Sequence, residues 1–318
     1  LPCASSQGGA DKSTATGSTD LSFEEVRSKY EEARAVITDG NSDQDAQNKA
    51  LDKLDAYWHT LPGKSVRDWQ GWVVDMEADT APLVPTQATS VPADNTQART
   101  IIISMEDPYS SPPVPETPVP SPRFRSSLKP PYVYLNRAVS PKEERLCVGD
   151  KISFSGSIGD VPGEYGEPGV IIPSAQVEIV EKREPKADVA ADLKDVVISL
   201  DRTMCFGTCP DYRVTLFGDG TVVFEGRTFT KVLGYKIGSI EEAKIRELLA
   251  EAEKASFFTE KSYTSYEVTD NPSATLSIST SDKGNRVDHY YGDSNAPARL
   301  TALESKVDEI LNTIQWVR

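Results

Sequence analysis

The sequence predicts a multidomain α+β and all-β chain: an N-terminal helical hairpin, a small Greek-key β-barrel, and a C-terminal α+β domain with an antiparallel sheet and two helices. Three observations carry this reading. The 318 residues exceed what one domain usually holds. The apolar period changes from helical to two near residue 63, and beyond residue 196 hairpins and helices alternate. The boundaries that follow are a polar tether over 1–21, the hairpin over 22–62, the barrel over 63–182 with a proline-rich insertion at 107–131, a linker over 183–195, and the last domain over 196–318.

The hairpin opens at a capping box, Ser22-Phe-Glu-Glu25, and Val26, Tyr30, Ala33 and Ile37 then recur at helical spacing. Asp39-Gly40 ends the first helix. Ala50, Leu51, Leu54, Tyr57, Trp58 and Leu61 form the seam of a second, stopped by Pro62-Gly63. Asp39, Asn41, Asp43 and Asp45 between them imitate an EF-hand loop, but Gln44 replaces the required glycine and Ala50 the closing glutamate. A plain two-helix module is the expectation.

Five alternating runs follow, at Val66–Asp75, Thr100–Met105, Tyr132–Leu135, Lys151–Ile158 and Ala175–Val180, joined by long irregular connections. Trp69-Gln-Gly-Trp-Val73 on the opening strand and the later Gly149-Asp-Lys-Ile-Ser-Phe-Ser-Gly156 resemble OB-fold domains of bacterial envelope proteins, which implies an OB-like barrel. An OB-like face would offer Trp69, Trp72, Tyr132 and Tyr134 for stacking on a ligand, although aromatics of small barrels more often fill the core. The insertion contains Pro112-Pro-Val-Pro115 and Pro118-Val-Pro120, a composition that prefers extended polyproline II. It leads into Arg123, Arg125, Lys129, Arg137 and Lys142, with no acid between Glu116 and Glu143. This stretch is the expected contact with an acidic partner or lipid headgroups.

The linker is charged and unpatterned. After it, Val196–Leu200, Tyr212–Phe217 and Thr221–Glu225 read as strands, the last two joined by the turn Gly218-Asp-Gly220. Ser239-Ile-Glu-Glu242 reads as a second capping box, with Ile245, Leu248 and Ala252 on one helix face. Strands Ala274–Ser279 and Arg286–Tyr291 precede a final helix carrying Leu300, Leu303, Val307, Ile310 and Trp316.

Cys205 and Cys209 are separated by three residues with Gly207 central, so the chain can fold back for a disulfide; free thiols and a redox-active pair are the alternatives. Cys147 reads as a small buried hydrophobe. Cys205-Phe-Gly-Thr-Cys-Pro-Asp-Tyr212, with Gly218-Asp-Gly-Thr-Val, Asp270-Asn-Pro272 and Trp316, resembles an uncharacterised bacterial domain family with a C-F-G-x-C-P-x-Y core, often found in exported proteins. That resemblance implies an envelope location and carries no activity. Cys3, followed by a small polar tail, resembles the lipid-bearing cysteine of a bacterial lipoprotein, so lipidation at Cys3 is expected.

A net charge of −15, spread evenly along the chain, argues against a nucleic-acid partner, because phosphate binding needs a basic face. Two histidines, His59 and His289, and four cysteines leave few ligands for a metal or haem. Each histidine reads as an ordinary half-buried residue bonded to a neighbour. No catalytic residues, metal or cofactors are therefore expected. The expected function is a non-enzymatic adaptor in the periplasm or on the outer face of a bacterial membrane, an extrinsic subunit of a larger complex of respiratory or photosynthetic type. Its partners would be other protein subunits, with the membrane reached through them or through Cys3. A ligand-binding OB-like barrel and a thiol-disulfide protein using Cys205 and Cys209 are the alternatives.

Overall fold

Ser22 caps the first helix, α1 (Phe23–Thr38), its Oγ accepting from the Glu25 N–H at 3.2 Å. In α2 (Gln44–Trp58) the Asp43 carboxylate accepts from the Ala46 N–H at 2.8 Å, so Asp43 serves as a helix cap. Tyr30 and Ile37 of α1 and Leu54 and Trp58 of α2 are buried in one shared cluster. The computed structural model describes residues 20–39, 42–78, 98–110, 132–138, 146–159, 169–173, 175–183, 189–265 and 269–318.

The hairpin lies on a six-stranded sheet. Its strands are β1 (Ser65–Ala78), β2 (Ala98–Ser104), β3 (Tyr132–Ala138), β4 (Lys151–Ser157), β5 (Gly169–Ile172) and β6 (Gln176–Glu181), in the order β5-β3-β2-β1-β4-β6. All neighbours are antiparallel except β3 and β5, which run parallel. Among the described residues β5 and β6 are edges that do not meet, so the expected closed OB-like barrel is an open sheet. The reason is in the burial: a barrel has one interior, but β1 and β2 are buried on both faces. Trp69, Val73 and Ile103 pack toward the hairpin, whereas Val74 and Ile102 pack in the opposite direction, onto a second sheet. Gly71 permits the close pairing of β1 with β2, because a Cβ there would lie 2.5 Å from Ile103 Cγ2.

The second sheet contains β7 (Val197–Arg202), β8 (Asp211–Phe217), β9 (Thr221–Thr228), β10 (Gly234–Ser239), β11 (Ser273–Ser279) and β12 (Gly284–Tyr290), all antiparallel in the order β10-β9-β8-β7-β11-β12. Helices α3 (Glu242–Lys254) and α4 (Ala298–Ile310) bury Ile245, Leu248, Leu303 and Val307 against Leu200, Leu216 and Phe224. A short α5 (Ile314–Val317) brings Trp316 onto the Phe224 ring, centroids 5.1 Å apart. The β8–β9 turn is as expected, with Gly220 at φ +86°. The second capping box does not form. Ser239 is still the last residue of β10, paired with Thr221, so α3 starts at Glu242 without a side-chain cap.

The two sheets are fastened together. Val74, Ile102 and Tyr132 of the first share a buried cluster with Val223, Tyr235 and Ile237 of the second, and the Tyr132 and Tyr235 rings meet edge to face at 5.1 Å. Arg183 adds a polar clamp: its backbone N–H donates to Asp150 Oδ1 at 2.8 Å, and its guanidinium reaches Asp219 and Thr221 on the β8–β9 turn. Buried Asp150 also accepts from the Cys147 N–H and Lys182 Nζ, each at 2.8 Å. On the far edge the Ile237 N–H donates to the Pro108 carbonyl at 3.0 Å, and Lys236 Nζ donates to Ser110 Oγ at 2.9 Å. The segment read as a linker is structural where described: Leu193 is fully buried in the second core, and its carbonyl would collide with any Cβ at Gly218.

Candidate functional site

The chain leaves β7 at Arg202, passes through a loop and re-enters the sheet at Asp211. Cys205 and Cys209 are joined by a disulfide across this loop, their Cα atoms 5.5 Å apart. Gly207 turns inside it, its N–H donating to the Cys205 carbonyl at 2.7 Å. The Phe206 N–H donates to the Asp270 carbonyl at 3.3 Å, the Thr203 N–H to the Ser273 carbonyl at 3.0 Å, and the Ser273 N–H back to Thr203 Oγ1 at 2.9 Å. The loop is thereby tied to the chain entering β11. Its apolar side chains point outward: Phe206 is 90% exposed and Met204 52%.

Beneath the loop, between sheet and α4, runs a chain of polar contacts. Arg202 Nε donates to Asp308 Oδ2 at 2.9 Å; Asp308 Oδ1 accepts from Tyr212 Oη at 2.6 Å and from Thr313 Oγ1 at 2.9 Å. Arg202 also donates to Tyr291 Oη, which donates to Glu304 Oε2 at 2.7 Å, and Glu304 Oε1 lies 2.9 Å from His289 Nδ1. Burial, reinforced by Asp308, pushes the Tyr212 phenol well above its ordinary value. Burial likewise raises Tyr291, against the opposing pull of Arg202. Desolvation works against the Arg202 charge, but Asp308 and the two tyrosines outweigh it and keep the guanidinium protonated.

This chain has the residue types of an acid–base relay, but its geometry is that of a satisfied interior. His289 is 3% exposed and Glu304 fully buried, and the rings of Tyr263 and Tyr291 meet the imidazole edge to face. His289 is thus more deeply buried than the sequence suggested, and His59 is exposed, its Nδ1 2.8 Å from the Asp55 carbonyl. On the opposite face of the sheet, Asp201 pairs with Arg213 at 3.1 Å and with Arg227, and Arg227 reaches Asp211 at 2.7 Å. Desolvation opposes the Asp201 charge, but the two arginines prevail and hold its carboxyl below the usual carboxylate range. Arg213 also lies 3.7 Å from Asp75 of the first sheet, beside a cavity of about 10 Å³ lined by Phe217, Val223, Glu225 and Tyr235. That space suits one water. Among the described residues, no cluster of His, Cys, Asp or Glu has the arrangement of a metal site.

Of the residues singled out in the sequence, Cys3, Arg123, Arg125, Lys129 and Lys142 lie outside the described residues. Arg137 lies on β3, in register with Arg99 of β2. Cys147 is buried, as expected, but it is disulfide-bonded and not a free thiol. Two of the four aromatics that an OB-like face would present, Trp69 and Tyr132, are buried in cores. Trp72 lies under Lys151 Nζ, 4.7 Å from its ring centre.

A DUF6438 domain covers residues 196–311. The matching family is described as a domain of unknown function, in agreement with the expected uncharacterised family for the C-terminal part. No curated protein matches the chain. The DUF6438 domain spans β7 through α4, so it contains the disulfide loop and every member of the polar chain except Thr313. Sequence reading missed that polar chain. One signal was available: Glu304 and Asp308 interrupt the apolar stripe of Leu300, Leu303, Val307 and Leu311 one turn apart, and acids on a buried stripe require partners.

Proposed function

We propose that the chain is a non-enzymatic structural adaptor of the bacterial envelope, an extrinsic subunit that stabilises a larger membrane complex of respiratory or photosynthetic type. The junction of the two sheets carries this reading. The shared cluster around Tyr132 and Tyr235, the Arg183 clamp and the Lys236–Ser110 contact make the two halves one block that can hold partners at a set separation. The ionisable groups under α4, Arg202, Tyr212, His289, Tyr291, Glu304 and Asp308, are engaged with one another, which favours a supporting role over chemistry. The basic residues Arg123, Arg125, Lys129, Arg137 and Lys142 are the proposed contact with an acidic partner or with headgroups.

Gentle solubilisation of native membranes followed by gradient sedimentation tests this. The chain is expected in a large particle whose other subunits recur between preparations, and mass spectrometry of the same fraction reads the state of Cys3. A chain that migrates alone overturns the proposal. A second reading, thiol–disulfide exchange, draws on the partial exposure of both Cys205 and Cys209. It requires that a folded Cys205→Ser, Cys209→Ser protein lose function; full function in that variant removes it.

A further inference from the structure

Single exposed apolar residues are ordinary, but Met204 and Phe206 differ from that background because of how they are held. Between Thr203 and Pro210 the backbone is fixed by the disulfide, by the Gly207 turn, by the Phe206–Asp270 bond and by two bonds between Thr203 and Ser273. The loop so fixed holds the Phe206 ring in water, 90% exposed. A backbone already held in place leaves only side-chain rotamers to be ordered on association, which lowers the entropic cost of using one aromatic as an interface anchor.

We propose that Met204 and Phe206 form a docking knob that inserts into an apolar pocket, rimmed by Lys or Arg, on a partner protein. The charge of the surroundings selects that occupant. No Lys or Arg lies between Thr203 and Pro210, and exposed Asp270 adjoins the loop. Arg202, next to the loop in sequence, is engaged with Asp308, and Arg227, which donates to the Arg202 carbonyl, with Asp201 and Asp211. On a chain of net charge −15, a knob whose own loop carries no Lys or Arg gains no electrostatic attraction to an anionic bilayer. A basic rim around an apolar pocket complements it. The proposal rests on the reading of the chain as an adaptor and names a second contact, besides the basic stretch, through which it would act.

The test uses the full chain with a benzophenone side chain at position 206, expressed in its own cells and irradiated. Cross-links are expected in one apolar pocket of one protein with Lys or Arg at its rim. Titration of that purified protein should show Phe206→Ser weakening binding roughly 30-fold or more, the mark of a hot spot, and Phe206→Leu retaining most of the affinity. Asp270→Lys should weaken it several-fold, with less salt dependence than the parent. Acyl-chain adducts, cross-links scattered over many proteins, no cross-link, or a Phe206→Ser chain that binds as the parent does would each overturn the knob. If Phe206→Ser still co-sediments with the large particle, the knob falls and the adaptor reading stands. If the parent chain sediments alone, the adaptor reading falls whatever position 206 does.

Discussion

The two sheets share a plan, six strands with helices on one face, yet they bury different chemistry beneath those helices. Under α1 and α2 the contacts are apolar and aromatic: Trp69 meets Phe23 at 5.5 Å and Phe154 at 6.2 Å, and its sole polar atom donates to the Leu21 carbonyl at 2.8 Å. Under α4 the second sheet buries a connected set of charges, phenols and a histidine. Apolar packing tolerates rearrangement, because dispersion and burial are non-directional. A buried polar chain tolerates little, since every member left without its partner carries its full desolvation penalty. The first half should therefore respond to lost volume and the second to lost partners.

The largest expected effect is on volume. Trp69→Ala removes a buried indole and is expected to destabilise the first half by about 4 kcal/mol, read as a fall in the denaturant midpoint. A drop below 1 kcal/mol would show that the hairpin does not depend on that contact. Glu304→Ala leaves His289 and the Tyr291 hydroxyl buried without their acceptor and should cost about 3 kcal/mol. Glu304→Leu, of larger volume but equally without polar atoms, should rescue little. Rescue by Leu would reduce the contrast between the halves to one of packing.

Removing the Cys205–Cys209 disulfide should cost about 2 kcal/mol for so short a loop in the chain-entropy treatment. Arg183→Met should destabilise by about 1–2 kcal/mol and, more tellingly, separate one calorimetric transition into two as the halves lose their clamp. A single sharp transition in that variant would assign the junction to the Tyr132–Tyr235 cluster and the Lys236–Ser110 edge rather than to Arg183.

Acid offers the smallest and most selective probe. Asp201 and Asp219 both titrate below the ordinary carboxylate value; for Asp219, burial is outweighed by the Thr221 N–H and Arg183. A folded value below the unfolded one means that their stabilisation is complete above about pH 5 and is lost as pH falls through the depressed folded values. Hydrogen exchange below about pH 4 should therefore show β7–β9 opening before β1–β4. The reverse order would place the acid-sensitive groups in the first half.

Much of the second sheet was legible locally. Its β8–β9 and β11–β12 pairs are joined by the turns Gly218-Asp-Gly220 and Asp282-Lys-Gly284, whose glycine and aspartate residues dictate their shape, and β7, β8 and β11 alternate, with the fully buried face toward helices. β10 was not legible, because Gly234-Tyr-Lys-Ile-Gly-Ser239 lacks alternation: its Lys236 is buried at the edge under Ser110. The first sheet misled because its central strands β1 and β2 are buried on both faces, a pattern shared by a barrel wall and by a sheet lying between other layers. β5 escaped notice because it has only four residues and pairs in parallel with a strand distant in sequence. In the candidate site, the cysteine pair was readable from its spacing. The exposure of Phe206 was not, since a phenylalanine inside a disulfide loop reads equally well as core.

The sequence by itself determined the helical hairpin, the cysteine loop, the Gly218-Asp-Gly220 hairpin and the acidic, histidine-poor character that sets the expected chemistry. These depend on residues near one another along the chain, where capping, turn geometry and periodicity act. Only the tertiary structure decided that the middle strands form an open sheet, that the two sheets share a core, and that Glu304 and Asp308 serve partners on β12, β8 and β7. Those outcomes depend on which apolar faces meet and which buried charges find one another across long stretches of chain; the order of residues can mark that an acid on an apolar stripe needs a partner, but not which partner it finds.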